Sequence, residues 1–166
     1  MNPAVTANPF QTLGVPESMD LSTEQVESAA LAMSVRFHPD AAGGDTNSEA
    51  MLAGVNHALG VLRNPETRAI ALLELRGGPS ASQDRTLPDG FLADMMEARE
   101  RIEESVNADN RAEIERWKAW ARARRAVHEG RVAELFRASG DAGSLRCIRH
   151  ELNAWRYIER LIEQLP

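Results

Sequence analysis

Residues 22–63 read STEQVESAALAMSVRFHPDAAGGDTNSEAMLAGVNHALGVLR. Ser22 and Gln25 have the spacing of a capping box, with Leu21 and Val26 placed as a hydrophobic staple, so a helix is predicted to start near Thr23. Its apolar stripe is Val26, Ala30, Met33 and Phe37. Pro39 stops it, because proline lacks the N–H and drives the preceding residue out of helical backbone. Asp40 to Asn47, with Gly43 and Gly44 adjacent, is a turn by composition. Thr46 and Glu49 repeat the capping-box spacing, and Leu52, Val55, Leu59 and Leu62 form the stripe of the next helix. So short a connection makes the pair an antiparallel hairpin, with His38-Pro39-Asp40 expected on the exposed loop at its tip.

Working outward, Asn8, Pro9 and Gly14 are the cap, first residue and stop of a short helix over 9–13. A further helix begins at Asn64-Pro65 and ends before Gly77-Gly78. Residues 77–87, GGPSASQDRTL, carry Gly, Pro and Ser without any stripe and read as a linker between two domains, 1–76 and 88–166. Helical patterns follow near 88–107, 110–138 and 142–165, the last with a stripe of Leu145, Ile148, Leu152, Trp155, Ile162 and Leu165. They suit an antiparallel three-helix bundle. No segment alternates at strand spacing, so the fold class is all-α.

The chain has 166 residues, 43% hydrophobic and 27% charged, which is enough for a folded core. Its formal net charge is -6. Residues 1–76 hold four Arg against nine Asp or Glu, net -5, so the acidity is concentrated in the half that carries His38. Such a balance offers no basic field for a phosphate backbone and excludes nucleic acid as the expected partner. Cys147 is the single cysteine, which leaves no intramolecular disulfide or cysteine cluster. The first basic residue is Arg36, which argues against a secretory or mitochondrial leader, and no apolar run is long enough to span a bilayer. A cytoplasmic protein without cofactor or membrane partner is expected.

His38 and Asp40 could orient a catalytic diad or ligate a metal, but nothing nearby supplies a nucleophile or a third ligand. Taken alone, the tripeptide reads as a helix stop, with His near the negative helix end. His57, His128 and His150 lack ligand spacing. In the 88–107 segment, Phe91, Met95, Ala98 and Ile102 form one core stripe, whereas Leu92 and Met96 begin an adjacent row continued by Glu100 and Glu104. That row is either a wider core stripe or an exposed apolar patch suited to a partner, methionine being adaptable in contacts. Trp117 and Trp120 read as bundle packing, because Glu113, Glu115 and Glu129 break up the basic cluster of Arg122, Arg124 and Arg125. Cys147 reads as a small core residue.

NPFQTLGVPES from Asn8, VRFHPD, and VNHALGVLRNPETRAIALLELRG together resemble the J-domain of the iron–sulfur co-chaperone family HscB, and Phe91-Leu92 with Met95 to Glu100 resemble the start of that family's C-terminal domain. The resemblance implies a J-domain followed by a client-binding three-helix bundle. It also implies a co-chaperone, itself not an enzyme, that stimulates a DnaK- or HscA-type ATPase and delivers an IscU-like scaffold to it. His38, Pro39, Asp40 and Arg36 would then meet the chaperone. Leu92, Ala93, Met96, Glu97, Glu100 and Glu104, with Tyr157, would meet the client. The chain departs from the family pattern in three places. Arg36 is the only basic residue over 1–62, Ala41 stands where a Lys commonly follows, and Ala93 replaces a larger apolar residue. Weaker electrostatic steering to the chaperone is therefore expected. A J-protein with another client and a helical interaction module whose tripeptide merely ends a helix remain the alternatives.

Overall fold

A computed structural model describes residues 8–37, 46–138 and 141–166, apart from the side chains of Thr46 and Asn47. Among the described residues the fold is all-α: α1 (Pro9–Leu13), α2 (Thr23–Arg36), α3 (Thr46–Arg63), α4 (Pro65–Leu75), α5 (Phe91–Asn107), α6 (Arg111–Ala138) and α7 (Ala142–Gln164). The chain divides into two compact units, Met1–Leu75 and Arg76–Pro166.

In the first unit the local signals act as the residue types require. Asn8 Oδ1 accepts from the backbone N–H groups of Phe10, at 3.0 Å, and Gln11. Gly14 closes α1 at φ 67°, a backbone that side chains other than glycine rarely adopt. A five-residue helix is too short to persist alone, and α1 is held by burying Phe10 and Leu13 against its neighbours. The Ser22 hydroxyl accepts from Gln25 N–H at 3.1 Å while Gln25 Oε1 accepts from Ser22 N–H at 2.8 Å, completing the capping box. Glu27, near the start of α2, pairs with Arg63 at the end of α3 at 3.1 Å, so the two helices run antiparallel. Val26 and Ala30 are buried in the hairpin, as are Val55, Ala58 and Leu62, whereas Met33, Phe37, Leu52 and Leu59 are only half-buried. The turn over 40–47 and the Thr46 cap lie outside the described side chains.

Arg68 fastens α4 into this unit. Its side chain is 3% exposed, and it donates to the carbonyls of Leu62 (2.9 Å), Met19 (3.0 Å) and Leu21. One buried guanidinium thus satisfies the end of α3 and the segment leading into α2, using the several donors that only Arg presents in a rigid fork.

In the second unit, Asp94 pairs with Arg124 (3.0 Å), and Glu151 and Glu159 of α7 pair with Arg131 and Arg125 of α6 (3.4 and 3.5 Å), so successive helices are antiparallel. The core brings together Phe91, Met95, Ala121, Ala154 and Ile158. The buried stripe of α7 continues from Leu145, Ile148, Leu152 and Trp155 into Ile158 and Leu161. Ile162 and Leu165, placed one row further round, are half-buried. Residues 84–87 are tied along α7. His150 Nε2 meets Asp84 Oδ2 at 3.1 Å, Asn153 Nδ2 donates to the carbonyls of Asp84 and Thr86, and Leu87 packs on the core.

Hydrogen bonds from Thr86 and the neighbouring His150 hold the Asp84 carboxyl down at about 2, against an ordinary 3.8. A carboxyl depressed on folding contributes stability above its unfolded value and loses it as pH falls through the folded one. Urea unfolding should therefore find the wild type more stable than Asp84→Asn at neutral pH, with the difference closing between about pH 4 and pH 2. A difference that stayed constant across that window would remove Asp84 as the cause.

Candidate docking surfaces

At the α2 end, Arg36 is exposed, and its guanidinium lies 5.7 Å from the centre of the Phe37 ring. His38, Pro39 and Asp40 lie outside the described residues. The outer face of α2 carries Leu31 and Val35, 67% and 65% exposed, one helical turn apart. Their departure from the Val26–Ala30 stripe was present in the helical spacing, yet their exposure depends on what fails to pack over them.

The start of α5 forms a second surface. Phe91, Met95, Ala98 and Ile102 are buried, while Leu92 and Met96 are 53% and 58% exposed. The two rows separate because a helix turns about 100° per residue, so residues i and i+1 cannot share a face. The alternative of a wider core stripe is thereby removed. Ala93, Glu97, Glu100 and Glu104 are exposed along the same helix. Glu97 is tied to Arg101 at 2.5 Å, whereas Glu100 and Glu104 make no ion pair among the described residues. Tyr157 on α7 is half-buried, edge-on to Phe91 at 5.6 Å, with the Arg99 guanidinium 5.8 Å from its ring centre. It packs against the root of α5 while keeping part of its surface exposed.

Behind this face, His128 of α6 is 2% exposed, with Nδ1 2.5 Å from Glu151 Oε2 and its ring edge-on to Phe91 at 5.5 Å. Burial pushes the Glu151 carboxyl up, but the hydrogen bonds and charges of His128 and Arg131 outweigh it and hold the carboxyl below its ordinary value. The helix that presents Leu92 is thus seated on a fixed polar contact between α6 and α7. Cys147 is exposed rather than part of the core. Among the described residues, no group of three or more His, Cys, Asp or Glu is placed to hold a metal ion, and no helix is long and apolar enough to cross a membrane.

Residues 87–166 match the family model described as the HSCB C-terminal oligomerisation domain. A co-chaperone protein HscB homolog from Burkholderia thailandensis is 28% identical over 162 residues, covering 94% of this chain and 90% of the relative. The co-chaperone protein HscB of Proteus mirabilis is 33% identical over 110 residues, 61% of this chain and 64% of that one. Among solved structures, chaperone HscB from Vibrio cholerae superposes with a TM-score of 0.70 at 25% identity, covering 95% of this chain and 94% of that one. Human co-chaperone protein HscB shares the fold with a TM-score of 0.80 at 21% identity, covering 99% and 83% of the two chains. Since these matches extend over both units, the fold is a J-domain followed by a helical bundle, residues 87–166 match the HSCB C-terminal domain, and the chain is similar along its length to HscB co-chaperones.

Proposed function

We propose that this chain stimulates ATP hydrolysis by a DnaK-type chaperone of the HscA class and delivers to it an IscU-like scaffold during iron–sulfur cluster assembly. The observation that carries the client half is the exposure of Leu92 and Met96, at 53% and 58%, on a helix of the HscB-type C-terminal domain. Leaving two large apolar side chains in water at one spot is unfavourable unless a partner covers them. The chaperone half is supported by the HPD tripeptide following a capped helix that ends on Arg36. Residues 1–76 then face the chaperone and residues 88–166 the client. Carrying both sites on one chain raises the effective concentration of client at the chaperone. The bond broken is the nucleotide's, on the partner, and the contribution of this chain is contact and placement.

Turnover of a purified DnaK-type partner, measured with the wild type and with His38→Gln, tests this reading. Stimulation by the wild type and its near-complete loss in the variant are expected. Equal turnover with both proteins would overturn the co-chaperone assignment and leave a helical interaction module.

A further inference from the structure

We propose that residues 76–87 form a strap clamped at both ends onto the second unit, and that this strap sets how strongly client binding is coupled to the chaperone held by the first unit. This rests on the co-chaperone reading above and adds to it the device that joins the two sites. The units meet at Leu75 and Arg76, so the whole strap belongs with the second unit. One clamp is Arg76. Its Nη1 donates to the carbonyl of Phe136 at 3.0 Å, and its guanidinium lies 5.1 Å from the centre of the Phe136 ring. That carbonyl is in the last turn of α6, where no helical N–H follows to satisfy it and where a cation is favoured.

The other clamp is on α7. His150 meets the Asp84 carboxylate at 3.1 Å, Asn153 donates to the carbonyls of Asp84 (3.1 Å) and Thr86 (2.9 Å), and Leu87 packs on the core. Between the clamps the chain closes on itself. The N–H groups of Gln83 and Asp84 donate to the Ser80 carbonyl at 3.1 and 3.0 Å, and Gln83 Oε1 accepts from Ser80 N–H at 2.8 Å. Residues 77–86 contain no Val, Leu, Ile, Met or aromatic side chain, and Ala81, Ser82, Gln83, Arg85 and Thr86 are exposed. Hydrogen bonds rather than burial therefore hold the strap, and a segment with so few buried contacts opens at less cost than the helices beside it.

The two states differ in the length of free chain between the binding sites. Closed, the strap leaves the connection no longer than the junction of Leu75 and Arg76. Open, it is a tether of twelve residues rich in Gly and Ser, with ends about 20 Å apart on average. The effective concentration of one tethered site at the other falls roughly as the −3/2 power of tether length, so the closed strap favours client and chaperone being held together.

Two full-length variants test the strap. Arg76→Ser with Asp84→Ala removes a contact at each clamp, while a Gly-Ser insertion of the strap's own length between Leu75 and Arg76 lengthens the connection and leaves both clamps in place. Tryptic cleavage after Arg85 reads the strap itself. Coupling is read as the extra ATP turnover of a purified DnaK-type partner when a purified IscU-type scaffold is added to the chain. Cleavage is expected to be about 10-fold or more faster in the double variant and unchanged by the insertion. The scaffold's extra turnover should fall about 3- to 10-fold in both, with scaffold affinity and the stimulation by the chain alone within about twofold of wild type. If the double variant proves poorly folded, the insertion decides alone. Unchanged cleavage in a folded double variant overturns the clamps. Undiminished extra turnover in both variants overturns the coupling role and leaves the co-chaperone reading standing. No extra turnover with the wild type overturns both.

Discussion

Replacing Arg68 by Met is expected to destabilise the first unit by about 3–5 kcal/mol, the range for removing one member of a buried charge-assisted network. Methionine fills comparable volume, so the cost reports the loss of the guanidinium and its polar contacts rather than of packing. The carbonyls of Leu62, Met19 and Leu21 would lose their donor in a place water reaches poorly. A unit of this size has a total stability on the order of 4–11 kcal/mol, so the loss is a large fraction of it. Peptide-resolved hydrogen exchange should show protection in α1–α4 falling by about 150- to 5,000-fold while α5–α7 keep theirs. Arg68→Lys should recover only part, because a point cation cannot reproduce the fork. Unchanged protection in α1–α4 of Arg68→Met would mean that the three carbonyls find other donors and that the guanidinium is dispensable.

The same residue shows where reading from sequence stops. Asn8-Pro9, Gly14 and the Ser22–Gln25 box were legible because each acts within four residues of itself, through one cap or one backbone dihedral. The α5 core stripe was legible for a similar reason: a periodicity over 91–102 needs no knowledge of the partner helix. Arg68, by contrast, acts on carbonyls 47 and 49 residues away, and Asp84 meets His150 across 66. Nothing in the local pattern of NPETRAI or PSASQDRTL encodes those distances. Helical spacing placed Leu31 and Val35 off the α2 stripe, but only packing could show that no neighbour covers them. For Leu92 and Met96 the sequence left core and surface both open, and the fold decided. The Trp pair was readable as packing, and both rings are indeed half-buried.

Leu92→Ser combined with Met96→Ser is expected to weaken scaffold binding about 15- to 150-fold without unfolding the bundle. Fully burying a large apolar side chain is worth about 1.5–3 kcal/mol. Both residues have already lost roughly half their exposure to the fold itself, at 53% and 58%, so about half that gain remains for a partner to collect. Two such residues then contribute about 1.5–3 kcal/mol to binding, which gives the stated range. Because neither belongs to the core cluster, the melting temperature should move by no more than a few degrees. Met95→Ser is the contrasting control, being 0% exposed and packed between Phe91 and Ile158, and it should cost stability on the scale of a core deletion, about 2–5 kcal/mol. Calorimetric titration with thermal melts of the three variants separates the two effects. If the double variant binds the scaffold within about threefold of wild type, the apolar patch does not face the client. If it melts as early as Met95→Ser, the two side chains stabilise the bundle itself, and their exposure would no longer argue for a partner.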